Sequence, residues 1–293
     1  MDRKEAIELD KYYTKEITAL LCYEKLKQYI LSQNLTLSSV IFIEPSAGNG
    51  RFLDVINEAK IGYDIAPEHP EVIKRNFLTH KIMSNAAKEI LLACKKQFIT
   101  IGNPPFGTKA SLAIQFINKS LTLGNIVGFI VPIQFRKWSA QSKINPEANL
   151  VIDIDLPENS FTLLDKDYNL RCCFQIWSLL PTQTNLRITE KPKTEHSDFK
   201  LYQYNRTTEA EKFFDYDWDF AVPRQGYLDY TFKAYSKEQC DKKQQWIFFK
   251  AKDILILEKL KALDFVKLSL KNSGIPGFGK ADVVEEYNKI CQQ

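Results

Sequence analysis

Short apolar segments alternate with helix-like segments over the first half of this chain, and this alternation limits its fold more than any other feature. The apolar segments are too short for helices and predict buried strands: VIFIE (40–44), IGYD (61–64), QFITIG (97–102) and IVGFIVP (126–132). Helical spacing is found over 17–30, RFLDVINEAK (51–60) and SLAIQFINKSL (111–121). Strands that alternate with helices predict an α/β fold with a doubly wound, mostly parallel sheet.

The alternation ends before the C-terminal third of the chain. VIDIDL (151–156) and RCCFQIWSLL (171–180) follow each other without a helix between them, which predicts an antiparallel hairpin at the end of the sheet. From about Leu186 the sequence is polar, interrupted by proline and then rich in aromatics. We therefore predict a catalytic domain over 1–185 and a smaller C-terminal module over 186–293.

Composition excludes few classes of protein. The net charge of +4 is mildly basic, so it permits a polyanionic partner without requiring one. No apolar run spans a bilayer and the N-terminus lacks a secretion signal, so we expect a cytoplasmic protein without a membrane partner. The six cysteines form no CxxC pair and there are only three histidines, so we expect buried thiols and no metal site.

Two polar motifs follow the first two predicted strands. The turn Glu44–Gly50 contains two glycines, which let the backbone approach a ligand at the carboxyl edge of a parallel sheet, although a purely structural turn has the same pattern. Asp64 ends the next strand, where an acidic side chain can accept both hydroxyls of a ribose. The pattern GxGxxG is missing, which argues against a nicotinamide cofactor.

The most specific motif is Asn103-Pro104-Pro105-Phe106-Gly107, which follows the strand QFITIG. The prolines fix the backbone, so the Asn103 side chain and the Pro104 carbonyl can serve as two fixed acceptors. Two acceptors suit a planar amine with two N–H donors, and Phe106 can stack on the ring that carries the amine. The alternative is a proline-rich turn that caps a helix.

These motifs resemble those of a known family. EPSAGNG, YDIAP and NPPFG resemble motifs I, II and IV of the Rossmann-like amino-methyltransferases, and DKYYT (10–14) is similar to motif X of many DNA adenine methyltransferases. The order of the motifs resembles that of the gamma group, in which the target-recognition region comes last. The resemblance implies an S-adenosylmethionine-dependent DNA adenine-N6 methyltransferase with a Rossmann-like fold and catalytic residues Asn103, Pro104, Pro105 and Phe106.

The same resemblance implies S-adenosylmethionine as the cofactor. Its binding residues would be Tyr13, Thr14, Glu44, Pro45, Ala47, Gly48, Gly50, Asp64, Ile65, Asn76, Phe77 and Asn103. The glycine turn would hold the methionine part, Asp64 the ribose, and Phe77 would flank the adenine. The family usually has Asp where this chain has Asn76; because an amide oxygen can still accept a hydrogen bond, we expect weaker rather than lost binding.

Contacts to nucleic acid are predicted from six further residues: Phe161, Arg136, Lys137, Arg224, Gln225 and Lys280. Phe161 ends a segment that looks like motif VIII, where an aromatic contacts the extruded base; an ordinary core aromatic is the alternative. Arg224 and Gln225 can form paired hydrogen bonds to base edges, and Lys280 ends the glycine-rich loop 274–280, which could approach phosphates. Solvated loops, and for Arg136 and Lys137 a plain helix start, explain these residues equally well.

We thus expect site-specific methylation of a flipped-out adenine in double-stranded DNA. A cognate restriction nuclease is a further partner that this function allows. Three alternatives remain open: an RNA adenine-N6 methyltransferase, a protein-glutamine methyltransferase and a non-catalytic nucleic-acid-binding subunit. The first uses the same chemistry, the second typically has NPPY, and the third is supported only by Asn76.

Overall fold

The computed structural model describes residues 12–82, 84, 89–91, 93–107, 110–164, 166–227, 229–272 and 275–291. The chain divides into two compact units, Met1–Thr189 and Glu190–Gln293, here called the first and the second unit. This division lies close to the boundary expected near residue 185. None of the described helices is both long and apolar enough to cross a bilayer.

The described part of the first unit begins with strand β1 (Tyr13–Thr14) and helix α1 (Glu16–Ser32). The helices that follow are α2 (Arg51–Val55), α3 (Ser111–Leu121) and α4 (Trp138–Gln141). The strands are β2 (Val40–Glu44), β3 (Lys60–Asp64), β4 (Val72–Lys74), β5 (Gln97–Gly102), β6 (Ile126–Pro132), β7 (Asn149–Asp155), β8 (Phe161–Leu163), β9 (Lys166–Tyr168) and β10 (Cys172–Ser178). Single turns of 3-10 helix occur at Leu37–Ser39 and Ile133–Arg136.

Seven strands form one sheet in the order β4-β3-β2-β5-β6-β10-β7. Neighbouring strands in the part β4-β3-β2-β5-β6 are parallel to each other. β10 is antiparallel to both β6 and β7. β6 and β10 are buried along their whole length, which explains why their sequences are apolar without alternation. The predicted class, a doubly wound and mostly parallel sheet that ends in an antiparallel pair, is confirmed.

A second, three-stranded sheet was not predicted; it combines β1 with β8 and β9, which lie between β7 and β10 in the chain. β8 and β9 form a hairpin, and β8 also pairs with β1, so that Thr14 lies opposite Phe161 and Phe161 opposite Tyr168. The predicted direct hairpin between 151–156 and 171–180 is therefore interrupted by this hairpin. Its consequence is that the N-terminal strand is fixed beside the carboxyl end of the main sheet, where Lys15 N–H donates to Ser160 O.

Helix α2 is shorter than its spacing predicted. The periodic sequence RFLDVINEAK continues to Lys60, but the helix ends at Val55 and Ile56 is extended and buried. The ammonium of Lys60 donates to the carbonyls of Leu53 (2.6 Å) and Ile56 (2.8 Å), which satisfies acceptors at the helix end. The chain can therefore turn directly into β3.

Arg187 ties the end of the first unit to its sheet. Its guanidinium donates to four backbone carbonyls, those of Gln141, Ile144, Asn145 and Ala148, at 2.6–2.8 Å. It also lies over the ring of Trp177 (5.6 Å), a fully buried side chain of β10. Arg187 falls in the range assigned to the C-terminal module, but its contacts belong to the first unit.

The second unit is built on an antiparallel sheet. Its strands are β11 (Phe199–Tyr204), β12 (Phe220–Gln225) and β13 (Gln245–Ala251), in the order β11-β13-β12. Helices α5 (Ile254–Lys261), α6 (Phe265–Ser269) and α7 (Lys280–Cys291) follow, and 3-10 helices occur at Thr208–Asp215 and Lys237–Gln239. One face packs in a cluster with Phe249, and the opposite face packs in a cluster with Phe248. Because β12 and β13 contribute buried residues to both faces, the alternation that marks a strand is absent from their sequences.

The cysteines are only partly as predicted. Cys22, Cys172, Cys173 and Cys240 are buried free thiols, whereas Cys94 and Cys291 are exposed. Burial raises the pKa of the Cys240 thiol to about 12. The buried thiols therefore act as apolar side chains.

Candidate functional site

The glycine turn joins the ends of β2 and β3. Gly48 and Gly50 have positive φ angles of 47° and 77°, and a Cβ on Gly50 would lie 2.6 Å from the ring of His69. The N–H of Ala47 donates to Tyr63 O (2.9 Å), and the N–H of Gly48 donates to Asp64 Oδ2 (2.8 Å). The turn predicted to bind the cofactor thus lies directly beside the predicted ribose acceptor.

Asp64 and Ile65 lie at the carboxyl end of β3. Asp64 Oδ1 accepts from the N–H of Ala66 (2.8 Å), so each carboxylate oxygen has one backbone donor and one further lone pair. The Ile65 side chain is 67% exposed. This edge therefore presents a fixed carboxylate next to an apolar surface, a combination suited to a sugar that carries an aromatic ring.

Glu44 is the last residue of β2 and is buried at the start of the glycine turn. It is 3% exposed, and its Oε2 accepts from the N–H of Leu53 at 3.2 Å. Burial raises the pKa of this carboxyl well above its ordinary value. Gly102, with a φ of 154°, ends β5 beside it, since a Cβ there would lie 3.4 Å from Glu44 Cγ. The carboxyl ends of β2 and β5 thus meet at Glu44.

Asn103 follows β5 and has a divided hydrogen-bonding pattern. Its Nδ2 donates to the backbone carbonyl of Tyr12 (3.3 Å), whereas its Oδ1 is buried and has no partner among the described residues. The Ser46 hydroxyl donates to the backbone carbonyl of Asn103 (3.3 Å), which connects the NPPF loop to the glycine turn. The result is one oriented, unpaired amide acceptor beside the predicted cofactor turn.

The rest of the NPPF loop is packed inward. Pro104 is buried and Phe106 is 8% exposed, within the main hydrophobic cluster. The Phe106 carbonyl accepts from the N–H of Leu112 (3.2 Å) in the first turn of α3. The loop thus does cap a helix, as the alternative interpretation held, and it also positions Asn103. Stacking of Phe106 on a substrate ring stays a prediction.

Tyr13 and Thr14 form β1, and Tyr13 lies against the glycine turn. Thr14 is buried, the hydroxyl of Tyr13 donates to the Glu68 carboxylate (2.8 Å), and Tyr13 Cε1 lies 3.6 Å from where a Cβ on Gly48 would be. The N–H of Glu68 in turn donates to Gly48 O. Asp10 and Lys11, which start the predicted motif X segment, lie outside the described residues.

No protein-family model and no curated protein sequence matches the chain. Among solved structures, it is similar to the Type IIL restriction-modification enzyme MmeI in complex with DNA, with a TM-score of 0.53 and 10% identity over 96% of this chain and 67% of that one. The 23S rRNA methyltransferase ErmE (TM-score 0.36, 13% identity, 58% and 72% covered) and the EcoKI M protein (0.30, 10%, 87% and 68%) are more distant.

The chain has the Rossmann-like methyltransferase fold. The order of its seven strands and the single antiparallel strand β10 agree with the sheet that was predicted from the sequence. In this fold the glycine turn, Asp64 and Asn103 lie at the carboxyl ends of β2, β3 and β5, three neighbouring strands. Adjacent strand ends are where open α/β sheets bind ligands.

Two predicted cofactor residues of the methyltransferase fold are placed differently from expectation. Asn76 Oδ1 already accepts from the N–H groups of Leu78 (3.0 Å) and Thr79 (3.4 Å), so it is not left open as an acceptor. Phe77 is 1% exposed and stacks on Phe116 with ring centroids 5.6 Å apart. It packs in the core, and a contact to the cofactor's adenine remains a prediction.

The three residues of the first unit that were predicted to contact nucleic acid have structural roles within the protein. Phe161 is fully buried in the core, which accounts for it without a ligand. Arg136 binds Asp153 (2.6 Å) and Asp155 (2.7 Å), so its guanidinium fixes the segment after β6 against β7. Lys137 immediately precedes α4, as the alternative of a helix start held. Substrate contacts of these three residues remain predictions.

In the second unit the structure brings the two predicted recognition segments together. Gln225 forms a β-bridge with Gly277, and the N–H of Phe278 donates to Arg224 O. The Arg224 guanidinium donates to the side chains of Asn205 and Gln245, and burial lowers its pKa. Arg224 is thus partly a structural residue.

In the glycine-rich loop before Lys280, several backbone N–H groups already have acceptors within the protein. Gly277 N–H donates to Ser269 O (2.7 Å), and Gly279 N–H donates to the Asp282 carboxylate (2.8 Å), which occupies the place of an anion at the start of α7. Burial lowers the pKa of Lys280. The N–H groups of Gly277, Phe278 and Gly279 are therefore not available to a phosphate. Gly274 lies outside the described residues.

Sequence reasoning missed four residues that shape the site: Tyr12, Ser46, Glu68 and Tyr168. Ser46 was within the glycine motif but had no assigned role. Tyr12 precedes Tyr13 in the same motif, which is a usable signal. Glu68 and Tyr168 contact the site through pairings between distant segments, for which the sequence alone has no signal.

Proposed function

We propose that this protein is an S-adenosylmethionine-dependent methyltransferase that modifies the N6 amine of adenine in DNA. The observation that supports this most is Asn103 Oδ1, a buried amide oxygen without a partner among the described residues. A buried acceptor that lacks a hydrogen bond is costly and calls for an explanation. A substrate amine that donates an N–H to it supplies one.

The residues at the three strand ends fit the cofactor. The turn Glu44–Gly50 would hold its methionine part, Asp64 its ribose, and the exposed Ile65 its adenine. Tyr13 and Thr14 would line the amino-acid end. When bound there, S-adenosylmethionine supplies the methyl group. The capped amide of Asn76 fits less well than the other residues.

Asn103 would then act on the substrate amine. Adenine's amine lone pair is delocalised into the ring, and hydrogen bonds from its N–H groups to Asn103 Oδ1 and the Pro104 carbonyl favour a pyramidal, more nucleophilic nitrogen. As positive charge develops on that nitrogen, the same two oxygens stabilise it. Because Tyr12 O binds the amide nitrogen of Asn103, the oxygen needs no reorientation when the substrate arrives.

The DNA substrate and the sequence specificity are finer parts of this proposal. A stacked base cannot reach a buried amide, so the adenine would be flipped out of double-stranded DNA, with Phe106 stacking on it. The second unit would recognise the target sequence with Arg224, Gln225 and Lys280. Similarity to a restriction-modification enzyme and to a restriction-enzyme M protein supports a restriction-modification system with a cognate nuclease.

An RNA adenine-N6 methyltransferase is the second candidate. The same amide chemistry would serve it, and an rRNA methyltransferase is among the structures similar to this chain. A non-catalytic nucleic-acid-binding subunit is supported only by Asn76. Methyl transfer from labelled S-adenosylmethionine to duplex DNA and to RNA of the same sequence separates the three. We expect transfer to DNA; transfer to RNA alone, or to neither, would contradict the proposal.

Calorimetry on the purified protein tests the cofactor site independently. We expect S-adenosylmethionine to bind the wild type and to bind Asp64→Ala much more weakly, because Asp64 would lose its ribose contact. Equal binding by both proteins would remove Asp64 from the site. Absence of binding to the wild type would favour the non-catalytic candidate.

A further inference from the structure

The hairpin β8–β9 carries a surface that the proposed function does not use. Its face, here called the hairpin face, is lined by Leu163, Leu164, Lys166, Asp167 and Tyr168, around a cavity of about 350 Å³. Lys166 is exposed, and Tyr168 is half-buried. An aromatic ring, aliphatic side chains and a cation around one concavity are the components of a site for a nucleotide.

The hairpin face lies beside the catalytic amide. The ring of Tyr168 stacks on that of Tyr12, with centroids 5.1 Å apart and planes inclined by 29°. The backbone carbonyl of Tyr12 accepts the hydrogen bond from Asn103 Nδ2. One residue therefore contacts both the hairpin face and Asn103, so the hairpin face adjoins the proposed target site.

The charges on the hairpin face favour an anion. Asp167 is paired with Lys15 at 2.6 Å. Lys166 forms no ion pair with any described residue, so its ammonium is available to a phosphate. Asp165 lies outside the described residues.

Leu164 adds a second observation. It is 41% exposed and has a φ of 49°, the left-handed conformation that Gly or Asn adopts at lower cost. A large apolar side chain that is both strained and exposed is typical of a contact surface rather than of a plain turn. At the tip of a hairpin it can lie against a nucleobase or a sugar.

We propose that the hairpin face binds a nucleotide of the substrate DNA strand, with its base against Tyr168 and Leu164 and its phosphate on Lys166. This rests on the proposed function for the identity of the substrate. It goes beyond that function in assigning a second contact point, which holds the strand next to the adenine that Asn103 would receive. Tyr168, rather than the buried Phe161, is the aromatic of this region that a ligand can reach.

Fluorescence anisotropy of a labelled, adenine-containing single-stranded oligodeoxynucleotide tests this proposal without requiring catalysis. Lys166→Ala should weaken binding severalfold. It should also reduce the slope of log affinity against log salt concentration by about the amount that one phosphate contact contributes. Tyr168→Ala should weaken binding about tenfold, a typical effect of losing one base–aromatic stack, whereas Tyr168→Phe should bind like the wild type. Lys143→Ala, which removes an exposed lysine elsewhere in the first unit, is the matched control.

The variants distinguish failure of this proposal from failure of the proposed function. If Lys166→Ala and Tyr168→Ala both bind like the wild type, the hairpin face is not a nucleotide site, whatever the methyl-transfer assays show. If the wild type binds no oligonucleotide, or if binding is tighter to the matching RNA, the assignment to DNA is overturned. Loss of binding in both variants would support the hairpin face even if no methyl transfer were found. Lys166 is exposed, so its removal tests the idea without disturbing the fold.

Discussion

Asn76 Oδ1 accepts the backbone N–H of Leu78 at 3.0 Å. That oxygen is used within the turn. The remaining polar group of the Asn76 side chain is its NH2, which can donate a hydrogen bond but cannot accept one. Asp at this position would keep the turn and add a second acceptor. We expect Asn76→Asp to strengthen S-adenosylmethionine binding about tenfold, as one charged hydrogen bond typically contributes. Calorimetry of both proteins checks this, and unchanged or weaker binding would show that residue 76 does not face the cofactor.

Asn103→Ala removes the unpaired acceptor of the site. We expect methyl transfer to fall by about 10²–10³, as when one group that stabilises a developing charge is lost. S-adenosylmethionine affinity should be nearly unchanged, because the side chain addresses the substrate. Rates from labelled cofactor and affinities from calorimetry separate the two. A parallel loss of cofactor binding would instead assign Asn103 to the cofactor.

Glu44 predicts a pH effect on stability. Its pKa is raised in the folded protein, so between the ordinary carboxyl pKa and that raised value the folded state binds more protons than the unfolded state. The free energy of unfolding should therefore fall as pH rises through this window. Glu44→Gln, which can still accept from Leu53 N–H, should lack this contribution. Urea unfolding of both proteins from acidic to neutral pH measures it, and identical slopes would contradict the burial argument.

Arg187→Lys should destabilise the first unit. The substitution keeps the positive charge but cannot reproduce hydrogen bonds to four carbonyls, and leaving buried acceptors unpaired costs about 2 kcal/mol or more. Chemical unfolding followed by circular dichroism would show the loss. A change within experimental error would mean that water replaces the guanidinium at little cost.

Gln225 and Arg224 should respond differently to substitution. No internal hydrogen bond of the Gln225 side chain is found in the described part of the chain, whereas Arg224 binds Asn205 and Gln245. We expect Gln225→Ala to relax the choice of base at one position of the methylated site without loss of stability, and Arg224→Ala to lower stability as well. Methylation of a randomised DNA library and urea unfolding provide the two measurements. Unchanged profiles for both variants would remove this segment from target recognition.

The sequence predicted the parts of the fold that depend on local pattern. Four elements have the predicted boundaries: β2, β5, α3 and β6. Buried parallel strands and amphipathic helices can be predicted from the pattern of apolar residues within a short segment. The sheet of the second unit was missed because two of its strands, β12 and β13, are apolar on both faces. The hairpin β8–β9 was missed because FTLLDKDY is short and half polar.

The candidate site divides in the same way. The glycine turn, Asp64 and Asn103 follow predicted strands directly, so their shared edge could be inferred from topology. The hydrogen bond between Asn103 and Tyr12 joins residues 91 positions apart, and the stack of Tyr12 on Tyr168 joins even more distant segments. Such contacts depend on how β1 pairs with β8, which no local pattern encodes.

The strand order β11-β13-β12 determines when the second unit can form during synthesis. β13 is the last of the three strands in the chain, yet it is the central one and pairs with both of the other strands. A nascent chain that ends before Gln245 therefore exposes two unpaired strands with apolar faces, a state prone to aggregation. The three-stranded sheet can therefore be completed only after residues 245–251 have left the ribosome.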